Sequence, residues 1–313
     1  MNPISTSSLF HFTKKYDVLK LILANGLRYT YSCEVFPIEI VKNHFAETSS
    51  TAPKKIYPNI AIPLISFCDT PLTRVAKHSN IYGKYFIGIE KDYINAMGSA
   101  YLNPLLYANA DYLKNAVSEL SALPCHLTKV LNSYVLKNHK EFELFVEENA
   151  KNPNSERLLD LLPDDFRELL RCKFVFIKRM NQILALYKPI TGTFRGIKNY
   201  FFIDEREWRS FIPENKAEWK WGISKAEFSR NYLKWTNELI EDKQRYYTII
   251  PQFLYCISHI AVKKEDERKD IIQYIRESPR LFGWDIYNQK DRTLFRDILI
   301  SKVTTFERIE TDY

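Results

Sequence analysis

The chain has 313 residues, of which 45% are hydrophobic and 27% charged, a balance that suits one large or two small globular domains and excludes wholesale disorder and fibrous repeats. Glycine fills only 8 positions, and no G-x-G-x-x-G, G-x-x-x-x-G-K-[ST] or G-x-S-x-G is present, so glycine-loop nucleotide binding and the hydrolase elbow lose their main signals. The net charge of +7 permits a polyanionic partner without demanding one, because a mild lysine excess also serves solubility.

The first predicted element is a short aromatic strand, LFHFT (9–13). A helix follows over 15–25, with Val18, Leu19, Ile22 and Leu23 at helical spacing and Gly26 ending it. RYTYSCEVF (28–36) reads as a strand, 47–58 as a polar loop and IAIPLISFC (60–68) as a buried strand. Asp69 or Thr70 is placed to cap a helix that has Pro71 in its first turn and runs to about Asn80. KYFIGIEKDY (84–93) and NPLLYAN (103–109) are the next strands.

Periodicity then turns helical from about 111 to 187, split by the polar stretch ENAKNPNSER, which reads as a helical insertion. KNYFFIDEREWRSFI (198–212) is expected to be a strand with a charged end, and 213–248 an aromatic, basic helical surface segment. ISHIAVK (257–263) and EDERKDIIQYIRE (265–277) restore strand and helix. Strands enclosing a helical insert argue for an α+β domain spanning 1–313 rather than a doubly wound sheet. The N-terminus lacks a basic, apolar leader and the apolar stretch 249–262 is interrupted by Gln252, Ser258 and His259, so a cytoplasmic chain with no membrane partner is expected. Cysteines at 33, 68, 125, 172 and 256 lie at least 35 residues apart, which predicts reduced, buried thiols and no zinc or other metal site.

Three segments place chemistry-bearing side chains on strands. His11 alternates with Phe10 and Phe12 and should face the opposite side. Ser66 and Phe67 end a buried strand whose following helix leads to His78 and Tyr82. Glu205, Glu207 and Arg209 are expected to share one face of a strand. Each has a plain competitor: a packed strand histidine, a core phenylalanine, and a solvated edge strand with cross-strand ion pairs.

His11, Thr13, Gly26 and Leu27, then LISFCDTPLTRVAKHSNIYG, then EREWR, resemble the three motifs of ADP-ribosyltransferase folds, including the DarT DNA-modifying toxins. The order LFHFTKKYDVLKLILANGL, ISFCDTPL, YGKYFIGIEKDY with NPLLYAN, EREWR and ISHIAVKKEDERKDIIQYI resembles the AbiGi-type abortive-infection proteins of bacteria. The first resemblance implies a split antiparallel sheet and a toxin that uses NAD; the second carries an antitoxin label. The first resemblance further implies that Glu207 stabilises the oxocarbenium-like state formed as the nicotinamide–ribose bond breaks, and that Glu205 positions or deprotonates the acceptor. His11, with Thr13 nearby, would hold the adenosine ribose, and Phe67 with either His78 or Tyr82 would pack on the nicotinamide ring, Ser66 being in the same motif.

Trp219, Trp221 and Trp235 lie among Lys220 and Lys234, an aromatic and cationic mixture on which unpaired bases stack, although an amphipathic helix packing its aromatics on a sheet has the same pattern. The expected function is therefore transfer of ADP-ribose from NAD to RNA or single-stranded DNA by an abortive-infection toxin with a cognate antitoxin. The competing expectation is a catalytically inactive antitoxin or sensor that holds a partner. A metal-dependent nuclease built on Glu90, Lys91 and Asp92 ranks third, because their spacing matches no such site.

Overall fold

A computed structural model describes residues 6–35, 59–92, 102–109, 168, 185–194, 196–211, 223–224, 229–230, 254–286 and 292–312. The first half contains β1 (Ser8–Thr13), α1 (Tyr16–Asn25), β2 (Thr30–Val35), β3 (Asn59–Cys68), α2 (Val75–Tyr82) and β4 (Tyr85–Glu90). Short strands follow: β5 (Leu102–Pro104), β6 (Leu106–Ala108), β7 (Tyr187–Pro189), β8 (Thr191–Phe194), β9 (Ile197–Phe201), β10 (Glu207–Phe211) and β11 (Ile223–Ser224). The chain closes with β12 (Ile257–Val262), α3 (Glu265–Glu277), β13 (Arg280–Leu281), β14 (Trp284–Asp285), α4 (Arg292–Ser301), β15 (Val303–Thr305) and α5 (Phe306–Asp312).

This is the expected α+β class. The main sheet runs β15-β12-β4-β1-β3-β10-β5, with β2 and β11 also on β3, and among the described residues of this sheet only the β12–β15 pair is parallel. Period-2 alternation along the strands separates two faces. Leu9, Ile65, Phe67, Ile87 and Ile89 join Leu19, Ile22 and Leu23 of α1, Ile271 and Ile275 of α3 and Phe295 and Leu299 of α4 in the larger core. At about 1.5–3 kcal/mol for each buried Leu, Ile or Phe side chain, this layer is the main driving force for the fold. On the other face Phe10, Phe86 and Ala261 pack with Val75 and with Phe306 and Ile309 of α5. The polar side chains of β3 and β10 continue this second face.

Several boundaries move for local reasons. Gly26, at φ 91°, ends α1 as its N–H donates to the Ile22 carbonyl at 2.7 Å. The helix after Pro71 opens as a 3-10 turn over Leu72–Arg74, and neither Asp69 nor Thr70 caps it: Pro71 holds the N-cap position, and no side chain bonds there. The segment 103–109 is two strands interrupted at Leu105, and Tyr187 belongs to a strand rather than to a helix. The continuous strand expected over 198–212 breaks at a 3-10 turn, Phe202–Glu205, and at Arg206, which is left-handed at φ 45°. Of the expected helical insertion 111–187 and the segment 213–248, almost all lies outside the described residues, including Trp219, Lys220, Trp221, Lys234 and Trp235. Cys68 and Cys256 are buried free thiols, but Cys33 is exposed, on a strand that among the described residues pairs only with β3. No helix among the described residues is long and apolar enough to cross a membrane.

Candidate active site

β3 is the strand that builds the site. One of its edges pairs with β2 up to Leu64 and meets β1 only at Cys68, so the sheet is split between these two points. In that gap the Ser66 carbonyl takes a bond from His11 Nδ1 at 2.9 Å. On its other edge β3 pairs with β10, which sets Glu207 opposite Cys68 and Arg209 opposite Ser66. A cavity of about 440 Å³ opens over this face, lined by His11, Ser66, Cys68, Glu34, Tyr82, Lys188, Phe194, Phe202, Glu205 and Glu207 among others. That volume is within the usual range for small-molecule sites.

Glu207 is held from several directions. Its Oε1 accepts from Ser66 Oγ at 2.6 Å and Arg209 Nε at 2.8 Å, and its Oε2 from Lys188 Nζ at 2.7 Å, while its own N–H donates to the Tyr107 hydroxyl at 2.8 Å. Lys188 also reaches Glu205 Oε2 at 2.8 Å, and the Tyr82 hydroxyl donates to Glu205 Oε1. Arg209 is fully buried; its Nη1 donates to the Ala185 carbonyl and its Nη2 to Glu34, each at 2.7 Å, and Nη2 also reaches Glu207 Oε2 at 3.4 Å. Among the described residues, three carboxylates thus face two cations, leaving one formal negative charge in excess.

Burial alone would push the Glu207 carboxyl up, but the Arg209 and Lys188 charges and their hydrogen bonds hold it well below the usual carboxylate range. Lys188 is likewise kept charged: burial works against the ammonium and Glu207 and Glu205 override it. Burial, then Glu205, raises the Tyr82 hydroxyl far above its ordinary value, so it is a hydrogen-bond donor and not a base. Burial lowers His11 against the opposing bond to Ser66, favouring the neutral ring. A carbonyl only accepts, so Nδ1 carries the proton and Nε2 is left as the acceptor nitrogen.

Of the residues expected from the sequence, His11, Ser66, Tyr82, Glu205 and Glu207 come together in this cavity, although Glu205 ends a 3-10 turn instead of sharing a strand face with Glu207. Three do not line it. Phe67 points to the opposite face and is fully buried in the core, as the alternation along β3 requires when Ser66 and Cys68 face the cavity. Thr13, at the end of β1, sits against Gly83, and His78 is buried next to Thr70 at 3.2 Å. Lys91 pairs with Asp69 at 2.7 Å. Among the described residues no group of three His, Cys, Asp or Glu could hold a metal ion.

Sequence reasoning missed Lys188, Glu34, Phe194 and Phe202. Ser32 and Glu34 alternate with apolar positions on a strand, a readable signal of an inward polar row, and Ser32 Oγ does donate to Glu34 at 2.7 Å. Lys188 follows directly on the 111–187 segment that reads as helix, with no signal of its role.

A family model described as "Putative abortive phage resistance protein AbiGi, antitoxin" matches residues 38–248, about two thirds of the chain. The chain belongs to the AbiGi family. It is therefore a component of an abortive-infection system by family description, and that description carries the antitoxin label. The matched span contains Ser66, Tyr82, Lys188, Glu205 and Glu207, while His11 and the elements from β12 onward lie outside it. No curated protein and no solved structure matches the chain.

Proposed function

We propose that this cavity binds NAD and that the protein transfers ADP-ribose to an acceptor within its abortive-infection system. The observation carrying this reading is the convergence of His11, Ser66, Tyr82, Glu205 and Glu207, from separate parts of the chain, on one split in a sheet. A cavity with an excess negative charge and aromatic walls suits the cationic pyridinium of NAD. As the bond from the nicotinamide nitrogen to the ribose C1′ breaks, its electron pair leaves with neutral nicotinamide and positive charge develops at C1′. Glu207 is oriented to stabilise that charge, since Ser66, Arg209 and Lys188 fix both of its oxygens. The acceptor atom then bonds to C1′ and gives its proton to Glu205. The neutral His11 ring offers Nε2 to a ribose hydroxyl.

A second reading, favoured by the family description, is an antitoxin that uses the same fold to hold a partner without turnover. In that reading the Glu207 cluster is a structural ion-pair network. Nicotinamide release from NAD by the purified chain, together with growth of cells that express it alone, separates the two. Release with growth arrest supports the transferase. Growth without release supports the antitoxin.

A further inference from the structure

Each carboxylate oxygen of Glu205 and Glu207 is taken up by a donor. Tyr82 and Lys188 serve the two oxygens of Glu205, and Ser66, Arg209 and Lys188 serve those of Glu207. Lys188 is the donor the two carboxylates share, and its Nζ also stands 4.7 Å from the centre of the Phe202 ring. Two carboxylates beside an aromatic face suit an organic cation. A cation of the chain itself fills that place.

The two cations of the cluster are held differently. Arg209 stands on β10 within the main sheet, fully buried, and its guanidinium is tied to the Ala185 carbonyl as well as to Glu34 and Glu207. Lys188 comes from β7, three residues long, which pairs with β6 in a small sheet apart from the main one. Its side chain is 12% exposed and lines the cavity. Lysine carries a point charge on a flexible four-carbon stem, so this ammonium can swing toward solvent while the β6–β7 backbone pairing stays intact.

Such a swing has a charge requirement. Without the ammonium, Glu205 and Glu207 are left uncompensated, which is strongly unfavourable in a buried site. A neutral ring entering in its place does not repair that, whereas a positively charged ring does. Both cations held on the same two carboxylates would repel each other.

We propose that Lys188 occupies the cation subsite of this cavity and is exchanged for the ligand's own positive charge, so that the site admits a cationic aromatic ring and rejects its neutral counterpart. The proposal rests on the NAD reading of the cavity, in which the oxidised ring carries the charge and the reduced ring does not. On exchange Glu207 Oε2 turns from Lys188 to the ligand, while Ser66 and Arg209 keep Oε1 in place.

The test is calorimetric titration of 1-methylnicotinamide, a pyridinium cation, and of neutral nicotinamide into wild type, Lys188→Met and Lys188→Arg, with NAD titrated into the same samples. Methionine keeps the stem and removes the charge; arginine keeps the charge. The proposal predicts that Lys188→Met binds 1-methylnicotinamide about tenfold more tightly than the wild type, with nicotinamide affinity within about twofold and no gain in Lys188→Arg. Equal or weaker binding of the cation by Lys188→Met, the result expected of a lysine that only builds the site, would overturn it, and where NAD still binds the NAD reading would survive. Tighter cation binding by Lys188→Met in a chain that binds no NAD would keep the exchange and remove the NAD reading. Because Lys188→Met breaks a buried ion pair, a measurement on the wild type stands beside it. The Lys188 ammonium resonance under ¹⁵N-lysine labelling, assigned by its absence from Lys188→Arg, should fade into solvent exchange as 1-methylnicotinamide is added and persist with nicotinamide. A resonance unchanged by the cation would overturn the proposal even where Lys188→Met does not fold.

Discussion

The ammonium of Lys188 lies 2.7 Å from Glu207 Oε2, and the same nitrogen lies 2.8 Å from Glu205. Lys188 thus prevents two buried carboxylates from facing each other unscreened. Replacing one member of a buried ion pair leaves an uncompensated charge, at a typical cost of about 3–5 kcal/mol. Lys188→Met is expected to lose stability of that order in urea unfolding, whereas a loss under about 1 kcal/mol would mean the cluster is held by other contacts.

Acid should weaken the fold through Glu207. Its folded pKa is held at about 2 against an ordinary 4.5, so the native state binds fewer protons there than the unfolded chain. The contribution is complete above the unfolded value and fades as pH falls toward the folded one. The stability difference between wild type and Glu207→Gln is expected to narrow as the pH is lowered through this window. Parallel pH–stability curves would contradict it.

Phe67 and Tyr82 should separate packing from ligand binding. Phe67 is fully buried in the larger core, and Phe67→Ala is expected to cost about 3–5 kcal/mol. The milder Phe67→Leu should leave NAD affinity unchanged in calorimetry, because the ring faces away from the cavity. Tyr82→Ala removes a ring from the cavity wall and the donor to Glu205, and should weaken NAD binding about tenfold.

Gly83 fixes the end of α2 next to Tyr82. Its φ is +109°, and an added Cβ would stand 2.2 Å from the Thr13 carbonyl oxygen. Gly83→Ala is expected to destabilise by more than about 1 kcal/mol, measured by chemical unfolding.

Much of this was readable because strand alternation and helix punctuation are local. LFHFT, IAIPLISFC and EDERKDIIQYIRE match β1, β3 and α3 within two residues, and Gly26 stops α1. The error at Phe67 was one of face: naming both Ser66 and Phe67 set neighbouring residues of one strand on the same side. The break at Arg206 was illegible, because a left-handed arginine carries no compositional mark and depends on tertiary hydrogen bonds. Lys188 and Glu34 reach the site only through long-range pairing, β2 with β3 and β7 with β6, that a linear pattern does not encode.

The proposed reaction requires Glu207 to stabilise the charge formed when NAD loses nicotinamide. Transfer of label from adenine-labelled NAD to RNA, single-stranded DNA and protein extract, with wild type and Glu207→Gln side by side, tests it most directly. Labelled acceptor is expected with the wild type and at least a hundredfold less with Glu207→Gln, in line with the loss of a preorganised electrostatic stabiliser. No label on any acceptor, from a wild-type chain that is harmless when expressed alone, would contradict the account and favour the antitoxin reading.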